Sequence, residues 1–455
     1  MMTMWRPALD PSAPSRHVAL LRALERDIAS GRLTPGARLP THRDLADALG
    51  ISVGTVTRAY REAEARGLTH GEVGRGSFVG PGPSPGPAVG GRTVSGGIDM
   101  ATLWPLYGLD PDPAPALRRL AQRPDLLQYQ PHAGMLHHRA AGAAWSGHCG
   151  LSTSPDRVVV CAGIQHAIFV ILASVCEPGD VVLSDALTYP GVRAAAGLLR
   201  LRVHGLPMDD QGLLPDSFAA ACRQRRPKAL YVMPTIQNPT TGIMSAKRRK
   251  EIAAVAVKHG VAIIEDDVHR LFAPDAAEPL ATFAPEVSYF IAAFSKTVTS
   301  GLRVAFVVAP PAAADRLATT VAATTWMTSP LPTEVATQWI GDGTAAATAR
   351  QKRLEAARRQ ALARKVLAGL PVRSPLSSYH LWLTLSPPWT GRTFSEEAQR
   401  AGVAVAPAEL FATTPESTVA AVRISISGAP DHSTLKKGLE TLRALASRAP
   451  GVALV

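Results

Sequence analysis

Along residues 16–29 apolar side chains recur at intervals of three and four, at Val18, Leu21, Leu24 and Ile28, which predicts an amphipathic helix closed by Gly31. A turn-rich connector, Leu33-Thr-Pro-Gly-Ala-Arg-Leu-Pro40, follows. Thr41-His-Arg-Asp44 has the form of a capping box, with Asp44 in place of the usual Glu. The helix it opens should face its core with Leu45, Ala48 and Leu49 and stop at Gly50. Ser52 is placed to cap a third helix, with Val56, Ala59, Tyr60 and Ala63 inward and an end at Gly67. Residues 69–79 alternate around Gly71, Gly74 and Gly76 and predict a β-hairpin.

The pattern then lapses. Residues 80–97, GPGPSPGPAVGGRTVSGG, hold too much Pro and Gly to build a core and form a linker that spans roughly 50 Å when extended. From about Asp125 short β-branched runs alternate with helical stretches. Arg157–Cys161, Val181–Ser184, Ala229–Met233, Val261–Glu265, Tyr289–Ala293 and Val304–Val308 are the strand candidates. Apolar runs separated by helices predict a mainly parallel sheet covered on both faces. A long helix from about Ala345 to Leu367 leads into a smaller α+β segment. The expected domains are 1–80, a linker at 81–97, and 98–455, the last with a large part at about 125–345 and a small one at about 346–455.

Composition alters this picture little. The chain has 455 residues, enough for two or three domains. Its net charge of +12 allows nucleic-acid or anionic partners. That charge is no basic tail, because residues 1–80 carry eleven Arg, no Lys and eight acids. Cys149, Cys161, Cys176 and Cys222 form no C-x-x-C pair, so no metal site is expected and buried, reduced thiols are. No apolar run is long enough to span a bilayer, which points to a soluble cytoplasmic protein without a membrane partner.

Two helices joined by a tight turn make a helix-turn-helix whose second helix enters the major groove, with the hairpin as a wing. Arg43, Thr55, Thr57, Arg58 and Arg75 reach phosphates or base edges in that arrangement, and Ser52 and Gly54 permit close approach. The periodicity alone also fits a small three-helix protein-interaction domain. The run G-R-L-T-P-G-A-R-L-P-T-H-R-D-L-A-D-A-L-G-I-S-V-G-T-V-T-R-A-Y, then E-A-R-G-L and G-R-G-S-F-V, resembles the GntR-like winged-helix family across residues 16–79. Val53 departs from it, standing where the family often has Arg.

The second constellation lies at the predicted strand ends. Phe294-Ser-Lys-Thr297 offers an amine at Lys296, with Ser295 and Arg303 as anion ligands. Asp266 closes one strand and suits a protonated pyridine nitrogen. Asn238, in Gln237-Asn-Pro-Thr240, offers an amide to a ring oxygen, and Tyr189, in Thr188-Tyr-Pro-Gly191, a stacking face. Gly163, Ile164 and Gln165 open a helix whose backbone N–H groups suit a phosphate. Each residue alone also reads as an ordinary turn or surface residue. Together they are what pyridoxal 5′-phosphate requires.

The stretches 129–139 (Y-Q-P-H-A-G-M-L-H-H-R), 162–167, T-Y-P-G, P-T-I-Q-N-P-T-T-G, E-D-D, F-S-K-T…G-L-R and V-R-I-S-I resemble fold-type I aminotransferases. The resemblance implies Lys296 as the Schiff-base lysine, Asp266 as the pyridine partner, Asn238 as the ring-oxygen donor and Tyr189 as the stacking residue. It also implies Ser295 and Arg303 as phosphate ligands, Tyr129 as a contact to the neighbouring subunit's phosphate, and Arg423 as the clamp for a substrate or effector carboxylate. The whole order, winged helix, linker and aminotransferase-like domain, resembles the MocR family of transcriptional regulators. That implies a head-to-tail homodimer on a double-stranded DNA operator, sensing pyridoxal phosphate, or an amino acid or amine, through an aldimine at Lys296. The alternative is an active aminotransferase tethered to a DNA-binding domain. Two departures bear on turnover. Val268 and His269 stand where relatives place a Tyr, so that His269 either replaces it as a donor or faces solvent. Ala293 stands where many relatives have Ser or Thr.

Overall fold

A computed structural model describes residues 5–29, 32–33, 37–65, 68–72, 76–79 and 97–447. It divides into two compact units, Met1–Ala88 and Val89–Val455.

The first unit packs α1 (Arg16–Ala29), α2 (His42–Leu49) and α3 (Val53–Ala65) with a hairpin of β1 (Thr69–Glu72) and β2 (Gly76–Val79). Leu21, Leu24, Leu45, Val56, Ala59, Tyr60 and Ala63 share one core, as the periodicity predicts. Ala48, Leu49, Val18 and Ile28 are only half-buried, and Ala46 takes the inner place on α2. Thr41 caps α2, its Oγ1 accepting from the Asp44 N–H at 3.2 Å. The reciprocal half of a capping box is replaced: the Thr41 hydroxyl donates to the Asp44 carboxylate at 2.7 Å. The Asp side chain is one methylene shorter than the Glu that usually reaches back to the cap's own N–H. Gly50 ends α2 in the left-handed region at φ +62°. Gly31, Gly67, Gly74 and Arg75 lie outside the described residues.

The second unit holds a seven-stranded sheet. Its strands are β4 (Val158–Cys161), β5 (Val181–Asp185), β6 (Arg202–Leu206), β7 (Ala229–Val232), β8 (Ala262–Asp266), β9 (Ser288–Ala293) and β10 (Ala305–Val308), following β3 (Ile98–Met100) in the chain. They lie in the order β4-β10-β9-β8-β7-β5-β6, and only β10 runs against the rest. All six predicted strands are present. β6, half-exposed at the sheet edge, has no apolar run and was invisible to the pattern. Helices covering the sheet include α4 (Leu136–His148), α5 (Ile164–Val175), α6 (Pro190–Leu198), α7 (Ala246–His259) and α8 (Pro330–Gly341).

The helix α9 (Thr344–Val366) leads to a five-stranded sheet. Its order is β11 (Val372–Arg373), β12 (His380–Thr384), β14 (Ala421–Ser425), β13 (Val403–Pro407), and finally β3, which pairs parallel to β13. The first strand of this unit therefore completes the sheet of its last segment. Among the described residues no helix is long and apolar enough to cross a membrane. The four cysteines are free, and Cys176 alone is half-buried rather than buried.

Candidate functional site

On the first unit, Ser52 caps α3 by accepting from the Thr55 N–H at 3.2 Å, and its hydroxyl meets the Thr55 hydroxyl at 2.8 Å. Arg43, Gly54 and Arg58 are exposed on α2 and α3. Thr57 is otherwise engaged: its hydroxyl donates to the Val53 carbonyl and meets His42 Nδ1, both at 3.0 Å, tying α2 to α3. If Arg43 meets a phosphate, as the helix-turn-helix reading expects, Arg43→Ala should weaken DNA binding uniformly across sequences and lower the salt slope by about 1. Affinity measured at several salt concentrations checks this.

On the second unit, the C-terminal ends of parallel strands converge, the usual place for a ligand in such sheets. Lys296 sits in the turn after β9, and its ammonium donates to the Leu103 carbonyl. Desolvation pushes its pKa down to about 8, aided by the charges of Arg423 and Arg303 and opposed by Asp266. The turn is pinned from below. Tyr379 donates to the Lys296 carbonyl at 3.0 Å. Fully buried Lys352 donates to the Val298 carbonyl at 2.6 Å and pairs with Asp110, which also accepts from Thr299 at 2.7 Å.

Asp266 closes β8 and is buried. Tyr231, beside it on β7, donates to Oδ2 at 2.7 Å, whereas Oδ1 is buried with no hydrogen-bond partner among the described residues. Burial raises its pKa to about 6, against the Tyr231 hydroxyl and the Val268 N–H, so it is ionised at neutral pH. Asn238 Oδ1 accepts from Arg423 at 2.7 Å, which turns the amide nitrogen away from the arginine. Arg423 lies buried in the middle of β14, its other arm on the Ala101 carbonyl and its guanidinium 4.8 Å above the Phe411 ring. Burial lowers its pKa to about 9.

Gly163 precedes α5 at φ +83°, and a Cβ there would stand 2.7 Å from the Arg303 Nη2. Only glycine lets that guanidinium lie against the helix start, where the first-turn N–H groups lack helical acceptors. Arg303 is exposed, and its guanidinium has no hydrogen bond or ion pair among the described residues. Ile164 and Gln165 follow Gly163, and the Gln165 side chain is spent on the Gly191 carbonyl at 2.8 Å and the Tyr189 hydroxyl at 3.3 Å. Ser295 is buried beside Lys296.

Tyr129 is not gathered with these groups: it is 83% exposed, its ring 6.0 Å from that of Trp326. His269 is buried and does not face solvent. Its Nδ1 is 3.0 Å from the Ile236 carbonyl, and burial lowers its pKa to about 4. The neutral ring therefore donates from Nδ1 and keeps a lone pair on Nε2.

Sequence reasoning missed Gln237, which donates to the Leu187 carbonyl at 2.6 Å and accepts from Thr240, holding the Asn238 loop. It also missed Tyr231, Lys352 and Tyr379. A lone tyrosine inside the apolar run of β7 was the one available signal.

The aminotransferase class I and II family matches residues 98–442, and the bacterial gntR regulatory family matches residues 17–79. The chain is 30% identical over 450 residues to the HTH-type transcriptional regulator YdeF of Bacillus subtilis, covering 97% of this chain and 96% of that one. The chain belongs to the GntR-type transcriptional regulators that carry an aminotransferase class I and II domain. Another relative is the HTH-type pyridoxine biosynthesis transcriptional regulator PdxR of Corynebacterium glutamicum, 27% identical, with 69% of this chain and 70% of that one covered. Among solved structures, the α-aminoadipate aminotransferase LysN of Thermus thermophilus, complexed with N-(5′-phosphopyridoxyl)-L-leucine, superposes with a TM-score of 0.70 at 25% identity. It covers 78% of this chain and 92% of that one. As in other GntR-type regulators of this build, a winged helix-turn-helix precedes a fold-type I aminotransferase domain.

Proposed function

We propose that this regulator binds pyridoxal 5′-phosphate at Lys296 and alters its grip on operator DNA when an amino acid or amine engages the cofactor. The observation that carries the reading is the buried, unpartnered Oδ1 of Asp266, ionised and electrostatically coupled to Lys296. A protonated pyridine nitrogen is the partner such an atom lacks. The Gly163–Arg303 cradle suits the phosphate for the same reason: a guanidinium unpaired among the described residues lies against a helix start whose first-turn N–H groups at Ile164 and Gln165 lack helical acceptors.

Bound there, pyridoxal phosphate supplies an aldehyde conjugated to an electron-withdrawing ring. Asp266 keeps the ring nitrogen protonated. Asn238, its oxygen committed to Arg423, donates from its amide nitrogen to the ring oxygen. Tyr189 stacks on the ring, and Ser295, Arg303 and the N–H groups of Ile164 and Gln165 take the phosphate, while Gly163, its own N–H donating to the Cys161 carbonyl at 2.8 Å, supplies the space beside them. His269 presents a lone pair, so it does not take over the donor role of the tyrosine found in relatives. Arg423 grips an effector carboxylate in place of the Ala101 carbonyl. Tyr129, exposed beside Trp326, serves a second copy of the chain in a head-to-tail dimer.

Ala101 and Leu103, whose carbonyls hold Arg423 and Lys296, directly follow β3, the strand into which the linker at 81–97 runs. Engaging both side chains frees those carbonyls and shifts the segment that the linker joins. The DNA-binding head at 1–80 then reads a change made in the domain at 98–455.

The amine must be neutral to attack the aldehyde. With its pKa near 8, about a tenth of Lys296 is neutral at pH 7, against a few in ten thousand for an ordinary lysine. The rate of cofactor capture, trapped by borohydride and mapped by peptide mass, should rise about tenfold per pH unit and level off above about 8. An adduct spread over several lysines, or a rate still climbing well beyond that point, would remove Lys296 from this role.

A further inference from the structure

His137 and His138 are adjacent at the start of α4, and Glu334 lies in the first turns of α8. Neighbouring residues on a helix ordinarily point apart. Here both imidazoles turn to the same oxygen. His137 Nε2 is 2.7 Å and His138 Nε2 is 3.0 Å from Glu334 Oε2, with ring centroids 4.2 Å apart. The three ligand-type atoms all lie within 4.8 Å of one another. His138 and Glu334 are buried, while His137 is partly exposed, so the cluster opens to solvent on one side.

The geometry points to a divalent transition-metal site of the zinc class, with His137 Nε2, His138 Nε2 and a Glu334 carboxylate oxygen as ligands and water completing the shell. Zinc holds nitrogen and oxygen ligands at about 2.0–2.2 Å, which sets tetrahedral ligand atoms roughly 3.3 Å apart. The two nitrogen–oxygen separations, 2.7 and 3.0 Å, need to widen by roughly 0.3–0.6 Å to admit an ion. Two imidazoles and one carboxylate with open positions is a set that zinc and its neighbours accept. Both imidazoles already aim at one carboxylate oxygen, Glu334 Oε2. Arg123 lies 3.6 Å from the other oxygen, Oε1, but its guanidinium is engaged by Asp125 at 2.7 and 2.8 Å, which leaves Oε2 to the histidines.

The cysteine-based reading of the sequence expected no metal, because the tandem histidines gain their third ligand only through folding, from 196 residues away. Bound there, the ion clips α4 to α8. The segments leading into these helices carry Tyr129 and Trp326 and meet through His132, whose Nδ1 is 2.7 Å from the Trp326 carbonyl. A metal at this place holds that surface rigid, independently of whether the Lys296 site binds its cofactor.

The test uses the full-length protein, stripped with chelator and titrated with Zn²⁺ alone by calorimetry, then with Co²⁺ as an absorbing probe. Wild type should bind one equivalent more than His137→Ala or Glu334→Gln and show tetrahedral or five-coordinate Co²⁺ bands that both variants lose. Affinity at the site should drop at least tenfold in His137→Ala, a substitution at a partly exposed position. Far-ultraviolet dichroism confirms that each variant is folded, and a charge-neutral His137→Gln variant gives the comparison if Glu334→Gln is not. Unchanged stoichiometry in the folded histidine variants, or no saturable Zn²⁺ binding by wild type, overturns the assignment.

Discussion

Lys296→Ala abolishes the visible absorption that pyridoxal phosphate acquires when it is held covalently, and the protein stays folded. Among the described residues the side chain donates only to the Leu103 carbonyl, and its ammonium is disfavoured by desolvation and by Arg423 and Arg303. Removing it leaves the turn pinned by Tyr379, Lys352 and Asp110 through backbone groups and Thr299. The phosphate and pyridine contacts proposed here remain, so the variant still binds cofactor, but at least about tenfold more weakly, a loss of about 1.4 kcal/mol or more. Spectra of wild type and variant, recorded before and after dialysis, provide the measurement. A variant whose spectrum matches wild type would mean that another amine holds the cofactor.

Arg249→Met has the largest expected effect on stability. Arg249 is fully buried on α7. Its guanidinium donates to the carbonyls of Pro234 at 3.0 Å, Met244 at 3.2 Å and Glu278 at 3.3 Å, and to the Thr235 hydroxyl at 2.8 Å. It stands 3.9 Å from Glu265, the first of three consecutive buried acids, Glu265, Asp266 and Asp267. Burial raises the pKa of Glu265 to about 7, Asp267 adds to that, and Arg249 opposes it. Methionine fills much of the volume but takes the donor from the Met244 and Glu278 carbonyls and removes the cation nearest Glu265, leaving only Arg270 to balance Asp267 among the described residues. Breaking a buried pair from one side costs roughly 3–5 kcal/mol. Denaturant titration of the larger unit should show that loss with little change in slope. The same network braces the 234–244 segment, so cofactor affinity at Asn238 should fall with it. A cost below about 1 kcal/mol would mean that the acids take up protons and need no cation.

The two units were legible in the chain for different reasons. In the head, helical periodicity and small capping residues act locally, and Ser52, Leu21 and Tyr60 stand where the spacing puts them. Thr57 is the exception, because its hydroxyl turns inward to Val53 and His42. In the larger unit, Lys296, Asp266, Asn238 and Gly163 each follow an apolar run, so their place at strand ends could be read from neighbours in sequence. What depends on distant pairing could not. β3 joins a sheet whose other strands lie some 270 residues or more downstream. The antiparallel β10 has the same apolar run as its parallel neighbours. His269 could have faced solvent or the site, and only the Ile236 carbonyl decides its tautomer.

The central claim is that cofactor at Lys296 controls DNA binding by the head. The direct measurement is the affinity of the full-length protein for a double-stranded operator selected from random sequence, with and without pyridoxal phosphate, in wild type and in Lys296→Ala. The account predicts a cofactor-dependent change in wild type, further altered by an amino acid or amine from a test panel, and no such response in the variant. Equal affinities in all four states, with cofactor binding verified by absorption, would contradict it.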